Sequence, residues 1–279
     1  ARRAHVVLIV FSLMAVLPFI LLISASLTEE NAALKYGFGF IPKVFSLAAY
    51  KYISYQSKMI IRAYGITIFT TVIGTSVGLT MTSMLGYGLS KDIPGRRILN
   101  FFVVFTMLFN GGLVPTYLVY TKYLHLGNTI WALILPGTIS VYNMLLIKGT
   151  YEGIPIELNE VARIDGASEM CIYFKIILPL SKAIIATTAF MQIVNFGNNY
   201  TSSILYVTTN TGIYPVQAYI QNFMNRNPME IAAYTPELLD YWNNLKTAYL
   251  LVAIVPVICA YPFMYRFLQN GLTVGAVKG

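Results

Sequence analysis

The sequence predicts an all-α, polytopic membrane protein with six transmembrane helices. Hydrophobic residues make up 57% of its 279 residues and charged residues only 11%, whereas a soluble domain carries roughly 25% charged residues. Six apolar stretches reach the length of about 20 residues that a helix needs to cross a bilayer. Between the fourth and fifth stretches, residues 150–182 form a charged, patterned segment that predicts a short helical hairpin.

The six predicted spans belong to one transmembrane domain that covers residues 1–279. They take in residues 6–27, 63–90, 98–120, 129–149, 183–206 and 247–268. The first span ends in Ser24-Ala25-Ser26, which resembles a signal-peptide cleavage site. Its apolar run exceeds the roughly 7–15 residues of a signal-peptide core, so we interpret it as a true span.

Prolines and glycines mark special positions within these spans. We expect Pro115, Pro136 and Pro256 to interrupt their spans, because proline lacks the N–H that continues a helical ladder. Gly74 and Gly78 form a G-x-x-x-G pattern, which allows a neighbouring helix to approach closely. We interpret this pattern as a packing device.

The distribution of positive charge predicts the orientation. An even number of spans places both termini on one side of the membrane. With both termini in the cytoplasm, the inner segments hold eleven of the 19 Lys and Arg residues and the outer segments hold eight, as the positive-inside rule requires. Residues 150–182 then lie in the cytoplasm. The two long outer segments, residues 28–62 and 207–246, are expected to form a small extracellular cap.

The hairpin pattern is clearest between Pro155 and Pro179. Pro155 suits the first turn of a helix, where its missing N–H has no intrahelical partner to lose. Gly166 is expected to end that helix in a left-handed conformation. Ser168 follows as the cap of a second helix, and Pro179 marks its end. These signals predict a helix, a tight turn and another helix.

The first helix of the hairpin is amphipathic. Glu157 and Glu160 lie in its early turns, where the helix dipole favours acidic side chains. Leu158, Val161 and Ala162 follow helical spacing and predict one apolar face.

This hairpin resembles the EAA coupling loop of ATP-binding-cassette (ABC) importer permeases, whose pattern is E-A-A-x-x-x-G followed by a distal apolar residue and proline. The residues that match are Glu160, Ala162, Gly166, Leu178 and Pro179, and Val161 replaces the usual first alanine. The Asp165-Gly166-Ala167 form is typical of the carbohydrate importers, the class of the maltose permease. The resemblance implies that six residues couple the permease to an ATPase: Glu157, Glu160, Ala162, Asp165, Gly166 and Ala167.

Other segments extend the resemblance over nearly the whole chain. They are F-N-G-G-L-V-P-T-Y at 109–117, W-A-L-I-L-P at 131–136, Y-P-V-Q at 214–217 and the terminal G-L-T-V-G-A-V-K-G. Together they are similar to a branch of permeases for oligosaccharides and polysaccharide fragments that includes the alginate importers. The resemblance implies a type I importer permease in a bacterial plasma membrane, which passes substrate from an extracytoplasmic solute-binding protein to the cytoplasm by alternating access. It also implies a second permease subunit as heterodimer partner and two ATPase subunits that hold ATP and Mg, with no cofactor in this chain and no nucleic-acid partner.

The fifth span contains an unusual density of uncharged polar residues. Candidates for the substrate path are Gln192, Asn195, Asn198, Asn199 and Tyr200 there, with Asn110 and Asn143 elsewhere. Amides hydrogen-bond hydroxyl groups, and aromatic faces stack on sugar rings. Carbohydrate permeases usually have W-N-x-[FWY] at this place, whereas this chain has F-G-N-N-Y. The alternative is that these amides only join helices, at about 0.6 kcal/mol per contact.

Other function classes fit the sequence less well. Apart from Lys148 and Arg266, which lie at the ends of their spans, the predicted spans contain no Asp, Glu, Lys or Arg, and such groups are expected in the span cores of transporters driven by ion gradients. His5 and His125 lie far apart, and neither a metalloprotease nor a serine-hydrolase motif occurs. Cys171 and Cys259 are not expected to form a disulfide. A permease for a peptide, an amino acid or a lipid-linked compound remains an alternative, as does, with less support, a membrane enzyme.

Overall fold

The computed structural model describes residues 2–229, 233 and 235–276, with side chains over residues 5–229, 233, 235–259 and 261–262. The last three residues of the C-terminal motif therefore lie outside it. No strand occurs in these described ranges, where the only extended pairing is a single antiparallel bridge between Thr28 and Phe45. The chain is otherwise helical and divides into two units.

One unit comprises residues 1–63 and 216–259. Its helices are α1 (Arg2–Ser26), α2 (Glu30–Tyr36), α3 (Ala48–Tyr55), the first residues of α4 (Ser57–Ser90), α14 (Val216–Met224), a 3-10 helix (Pro236–Tyr241) and most of α15 (Trp242–Ala276). Aromatic side chains of α14 and α15 pack together. The ring centroid of Phe223 lies 5.0 Å from that of Trp242 and 4.5 Å from that of Tyr249.

A buried carboxylate joins two distant parts of this unit. Glu30 is only 4% exposed, and its Oε2 accepts hydrogen bonds from the backbone N–H groups of Asn243 and Asn244, both at 3.0 Å. These N–H groups belong to the first turn of α15, which has no intrahelical acceptors for them. Glu30 therefore caps α15 with a negative charge at the positive end of the helix dipole. Asn244 also donates through its side chain to the carbonyl of Thr28.

The other unit comprises residues 64–215 and 260–279. Besides the rest of α4 and the end of α15, it contains α5 (Arg96–Leu108), α6 (Leu113–Leu118), α7 (Trp131–Ile134), α8 (Val141–Glu152), α9 (Ile156–Ile164), α10 (Glu169–Ile172), α11 (Leu178–Leu180), α12 (Lys182–Gly197) and α13 (Thr201–Tyr206). Two π-helical segments, Val119–Tyr123 and Tyr173–Ile177, continue α6 and α10.

Among the described residues, three helices are long and apolar enough to cross a membrane: His5–Ser26, Ser57–Ser90 and Pro236–Cys259. Three bent pairs bring the number to six if each pair is one span: Arg96–Leu108 with Leu113–Tyr123, Trp131–Gly137 with Val141–Glu152, and Glu169–Leu180 with Lys182–Gly197. The bends are 108°, 46° and 83° respectively. The third and fourth predicted spans are thus bent elements. The third bend lies at the junction of the hairpin with the fifth predicted span, and within that span α12 ends at Gly197 and α13 begins at Thr201.

The prolines act differently from one another. The break near Pro115 falls before it, at residues 109–112, and Pro136 lies in a 3-10 turn ahead of the bend. The expectation for Pro256 was wrong, because α15 runs through it without a break. Pro18 is likewise tolerated inside α1. A proline removes only one backbone hydrogen bond, and a membrane helix can continue past it.

The G-x-x-x-G pattern lies at a close helix contact, as predicted. A Cβ added to Gly74 would lie 2.6 Å from the ring of Phe196 in α12, and one added to Gly78 would lie 2.1 Å from the side-chain nitrogen of Gln192. Gln192 is 2% exposed, and its Nε2 donates a 2.8 Å hydrogen bond to the carbonyl of Thr138. The two glycines therefore allow side chains of α12 to approach the backbone of α4 closely.

Candidate coupling hairpin and polar cavity

The predicted hairpin is present as α9, a turn and a second helix. Gly166 has a φ of +81°, and its N–H donates to the carbonyl of Arg163 while the N–H of Ala167 donates to the carbonyl of Ala162. This pair of bonds is the Schellman arrangement that satisfies the last carbonyls of a helix. Ser168 then caps α10, accepting a hydrogen bond from the N–H of Cys171. We refer to residues 155–180 as the coupling hairpin.

The apolar face of α9 is only partly buried. Only Ala162 is buried, whereas Leu158 is 43% exposed and Val161 57% exposed. The helix contacts the rest of its unit on a narrow strip, because small Ala162 permits close packing while its larger neighbours face outward. Ile164, at 85% exposure, extends this outward apolar surface, which also includes Ile156. Such an exposed apolar patch is typical of a surface that meets another protein.

The second helix of the hairpin is anchored more deeply. Its π-helical segment places Tyr173 and Ile177 in an apolar cluster with Tyr87, Ile147 and Tyr151. The hydroxyl of Ser83 lies 2.6 Å from that of Tyr151 and 2.7 Å from that of Tyr173. The hydroxyl groups of Tyr151 and Tyr173 thus find a hydrogen-bond partner in Ser83, at the place where α4, α8 and the hairpin meet.

Glu169 gathers several donors at the edge of this cluster. Its Oε2 accepts a 2.8 Å hydrogen bond from the hydroxyl of Tyr87, and its Oε1 accepts a 2.7 Å bond from Nε of Arg163. Lys91 Nζ lies 3.7 Å from Oε2. Partial burial raises the pKa of the Glu169 carboxyl, but the bonds from Tyr87 and Arg163 and the charge of Lys91 outweigh it and hold that pKa below its ordinary value. The carboxylate is therefore charged at neutral pH, and its contribution to stability is lost only as the pH falls through its lowered pKa.

Three of the predicted path residues lie together. Asn195, Asn198 and Asn199 line an open cavity of about 540 Å³ at the end of α12. The remaining lining comes from Pro136, Gly137, Val194, Thr201 and Ser202. Asn199 is held in place, because its Nδ2 donates to the Ser202 hydroxyl at 2.9 Å. Asn195 and Asn198 are exposed and free to present amide groups to a solute.

The other predicted path residues do not line this cavity. Gln192 is buried in the contact with α4, where it acts as packing. Asn143 is buried in α8 at 5% exposure. Asn110 lies in the exposed break before α6, and its side chain accepts a hydrogen bond from the N–H of Gly112. Tyr200, 43% exposed, follows the cavity residues in sequence and is absent from its lining.

The sequence-based prediction overlooked the polar side chains of residues 83–91 that contact the hairpin. Ser83, Tyr87 and Lys91 are spaced by four residues, and that spacing was the available signal, because it places them on one face of a helix. Which other elements they contact depends on how the chain packs. In the portion of the chain that the structure describes, no group of three or more His, Cys, Asp or Glu residues is placed to hold a metal ion.

Comparison with known proteins identifies the family. Residues 74–274 match the family described as binding-protein-dependent transport system inner membrane component. The chain is 38% identical over 98% of its length to the polygalacturonan/rhamnogalacturonan transport system permease protein YtcP of Bacillus subtilis, covering 96% of that protein. It is 37% identical to protein LplC of the same organism, over 95% of this chain and 90% of that one.

A solved structure agrees with the sequence relatives. The chain matches a subunit in the crystal structure of a bacterial ABC transporter involved in the import of the acidic polysaccharide alginate, with a TM-score of 0.83, 28% identity and 94% of each chain covered. The all-helical fold and the matches over almost the whole chain confirm the predicted class of permease. The chain belongs to the family of binding-protein-dependent transport system inner membrane components, the permeases of ABC importers.

Proposed function

We propose that this chain is the permease subunit of an ATP-driven importer for oligosaccharides or polysaccharide fragments. The observation that carries the substrate class is its likeness, along nearly the whole chain, to a permease named for polygalacturonan and rhamnogalacturonan and to a subunit of an alginate importer. The cavity lined by three asparagines fits that class, because side-chain amides can hydrogen-bond the hydroxyl groups of sugars.

The exposed surface of the coupling hairpin supports the assignment of ATP hydrolysis to separate partner subunits. Its exposed apolar residues, Ile156, Val161 and Ile164, flank the acidic side chains of Glu157 and Glu160. We infer that two ATPase subunits, which bind ATP and Mg, dock on this surface and on its equivalent in a second permease subunit. A solute-binding protein delivers the sugar from the other side of the bacterial plasma membrane, and alternating access passes it on to the cytoplasm.

The function is tested with the purified complex. The chain is expected to co-purify with an ATPase, and the loaded solute-binding protein is expected to stimulate ATP hydrolysis in proteoliposomes. A panel of neutral oligosaccharides, uronic-acid oligosaccharides, peptides and amino acids identifies the substrate class. Stimulation by peptides or amino acids alone would contradict the sugar assignment, and the absence of any ATPase would contradict the transporter assignment.

The substrate path is tested by Asn198→Ala. One amide-hydroxyl hydrogen bond contributes about 0.5–1.5 kcal/mol, so uptake per assembled complex is expected to fall about two- to tenfold and to differ among the sugars. Asn210→Ala is the control, since Asn210 is an exposed asparagine outside the cavity lining. Equal losses for every sugar, in proportion to assembled protein, would show that Asn198 is structural.

Orientation is a separate prediction, with both termini in the cytoplasm. In a Cys171→Ser/Cys259→Ala background, Asn227→Cys is expected to react with an impermeant thiol reagent added to whole cells. Asp92→Cys is expected to react only after permeabilisation. Both positions are exposed, so accessibility of the side chain does not limit the reaction. The reverse pattern would place the coupling hairpin outside and overturn its role.

A further inference from the structure

Three side chains on one face of α4 and its C-terminal extension point toward the coupling hairpin. Ser83 and Tyr87 are four residues apart and lie one helical turn from each other, and Lys91 lies in the bend directly after α4 ends at Ser90. Each makes a polar contact with the second helix of the hairpin. We call these three residues the α4 ladder.

The contacts of the ladder become more charged toward its end. The innermost, at Ser83, is a buried pair of hydroxyl contacts to Tyr151 and Tyr173 at 2.6 and 2.7 Å. The middle one is the 2.8 Å bond from the Tyr87 hydroxyl to Glu169. At the outer one, Lys91 Nζ lies 3.7 Å from the same carboxylate oxygen and 4.6 Å from the centre of the Tyr87 ring. Glu169 therefore takes part in two of the three contacts.

The cavity beside these polar contacts bears on how they transmit movement from the hairpin to α4. Beside them lies a cavity of about 700 Å³, lined by Lys91, Arg96, Glu152, Asn159 and Glu169 among others. On this side the hairpin is held both by the apolar packing of Tyr173 and Ile177 and by the hydrogen bonds and ion pair of the ladder. Directional bonds resist sliding, and a buried group that loses its partner is left unsatisfied. A displacement of the hairpin therefore pulls α4 with it.

The same helix packs against α12, which lines the polar cavity. Gly78 lies nine residues before Tyr87, which is about 14 Å along a helix. At Gly78 and Gly74, α4 is packed against Gln192 and Phe196 of α12, and α12 carries Asn195 in the wall of the 540 Å³ cavity. Because not even a Cβ fits between α4 and α12 at these two glycines, a shift of α4 toward α12 is expected to displace α12.

We propose that the α4 ladder transmits movement of the coupling hairpin through α4 to α12 and the polar cavity, with Glu169 as the positioning residue that fixes the hairpin to α4. This inference rests on the proposed function, since it requires an ATPase to move the hairpin. It assigns to Ser83, Tyr87 and Glu169 a role in converting ATP hydrolysis into transport.

The test measures sugar molecules transported per ATP hydrolysed by the reconstituted complex. Tyr87→Phe and Ser83→Ala each remove a hydroxyl and keep the side-chain volume nearly unchanged. Both are expected to lower this ratio about fivefold, the effect of one lost hydrogen bond, with ATPase retention and complex yield maintained. Tyr123→Phe, at a tyrosine that is 78% exposed, is the matched control and is expected to leave the ratio unchanged.

A double-mutant cycle separates transmission from stability. Because Tyr87 acts through Glu169, Tyr87→Phe is expected to have no further effect on the ratio in a Glu169→Ala background. Glu169→Gln, which keeps an acceptor for Tyr87, is expected to restore part of what Glu169→Ala loses. Additive effects, or lower yield with an unchanged ratio, would overturn the inference while leaving the transporter assignment intact. If the unaltered chain binds no ATPase, the inference and the transporter assignment both fail.

Discussion

Gly166→Leu is expected to abolish most of the coupling between ATP hydrolysis and uptake. Gly166 has a φ of +81°, and a Cβ in the left-handed region costs about 1–2 kcal/mol. A Cβ built there meets no atom within 4 Å, so the substitution strains the turn without a clash inside the chain. The added side chain instead stands in the turn beside the surface that we propose as the docking site of the ATPase. We expect uptake per complex to fall at least about tenfold.

A matched pair of controls separates strain from docking. Gly95 has the same φ of +81° and also has nothing within 4 Å, but it lies outside the hairpin. Gly95→Leu is therefore expected to show the strain alone and to retain coupled transport. Gly166→Asn is expected to be the mildest change at the turn, because asparagine tolerates the left-handed region. Normal uptake and normal ATPase retention in Gly166→Leu would contradict the coupling role.

Gly78→Ala is expected to have the largest effect on assembly. The new methyl would lie 2.1 Å from the Gln192 side chain and 2.4 Å from the carbonyl oxygen of Thr138. A side chain can rotate away, but the carbonyl belongs to the backbone, so α4 must move. Overpacking of this kind costs about 1–3 kcal/mol. We expect a lower yield of folded protein and a lower midpoint of thermal unfolding in detergent.

Gly65→Ala provides the comparison on the same helix. A Cβ at Gly65 meets nothing within 4 Å, so the change removes a flexible residue from α4 without a clash. It is expected to be neutral or to stabilise the helix by about 0.5–1 kcal/mol. Equal thermal midpoints for the Gly78→Ala and Gly65→Ala proteins would show that the contact of α4 with Gln192 and Thr138 is looser than the structure indicates.

Local features were predictable because they depend on neighbours in the chain. The left-handed Gly166, the Ser168 cap and the close approach at Gly78 each follow from residue type and spacing, and the structure confirms them. The exposed faces of Leu158 and Val161 were not predictable, because an amphipathic pattern shows that a face is apolar but not what covers it. Pro256 was misjudged for a related reason, since a membrane helix can tolerate the loss of one backbone hydrogen bond.

The candidate site was predictable in part. The dense amides of the fifth span pointed to Asn195, Asn198 and Asn199, which the structure brings together around one cavity. The same composition included Gln192, which is buried in a helix contact instead. An amide that lines a cavity and an amide that joins two helices have identical chemistry, so only their position in the packed chain distinguishes them.

The sequence by itself determined the class of the protein, its apolar spans and the turn of the coupling hairpin, because hydrophobicity, helical period and glycine conformation act over a few residues. Tertiary structure alone decided which side chains meet across long separations. Ser83 meets Tyr173, Tyr87 meets Glu169, and Glu30 caps α15 from 213 residues away. Such contacts depend on the angles at which helices pack and bend, and those angles result from the sum of many weak contacts that no local pattern records.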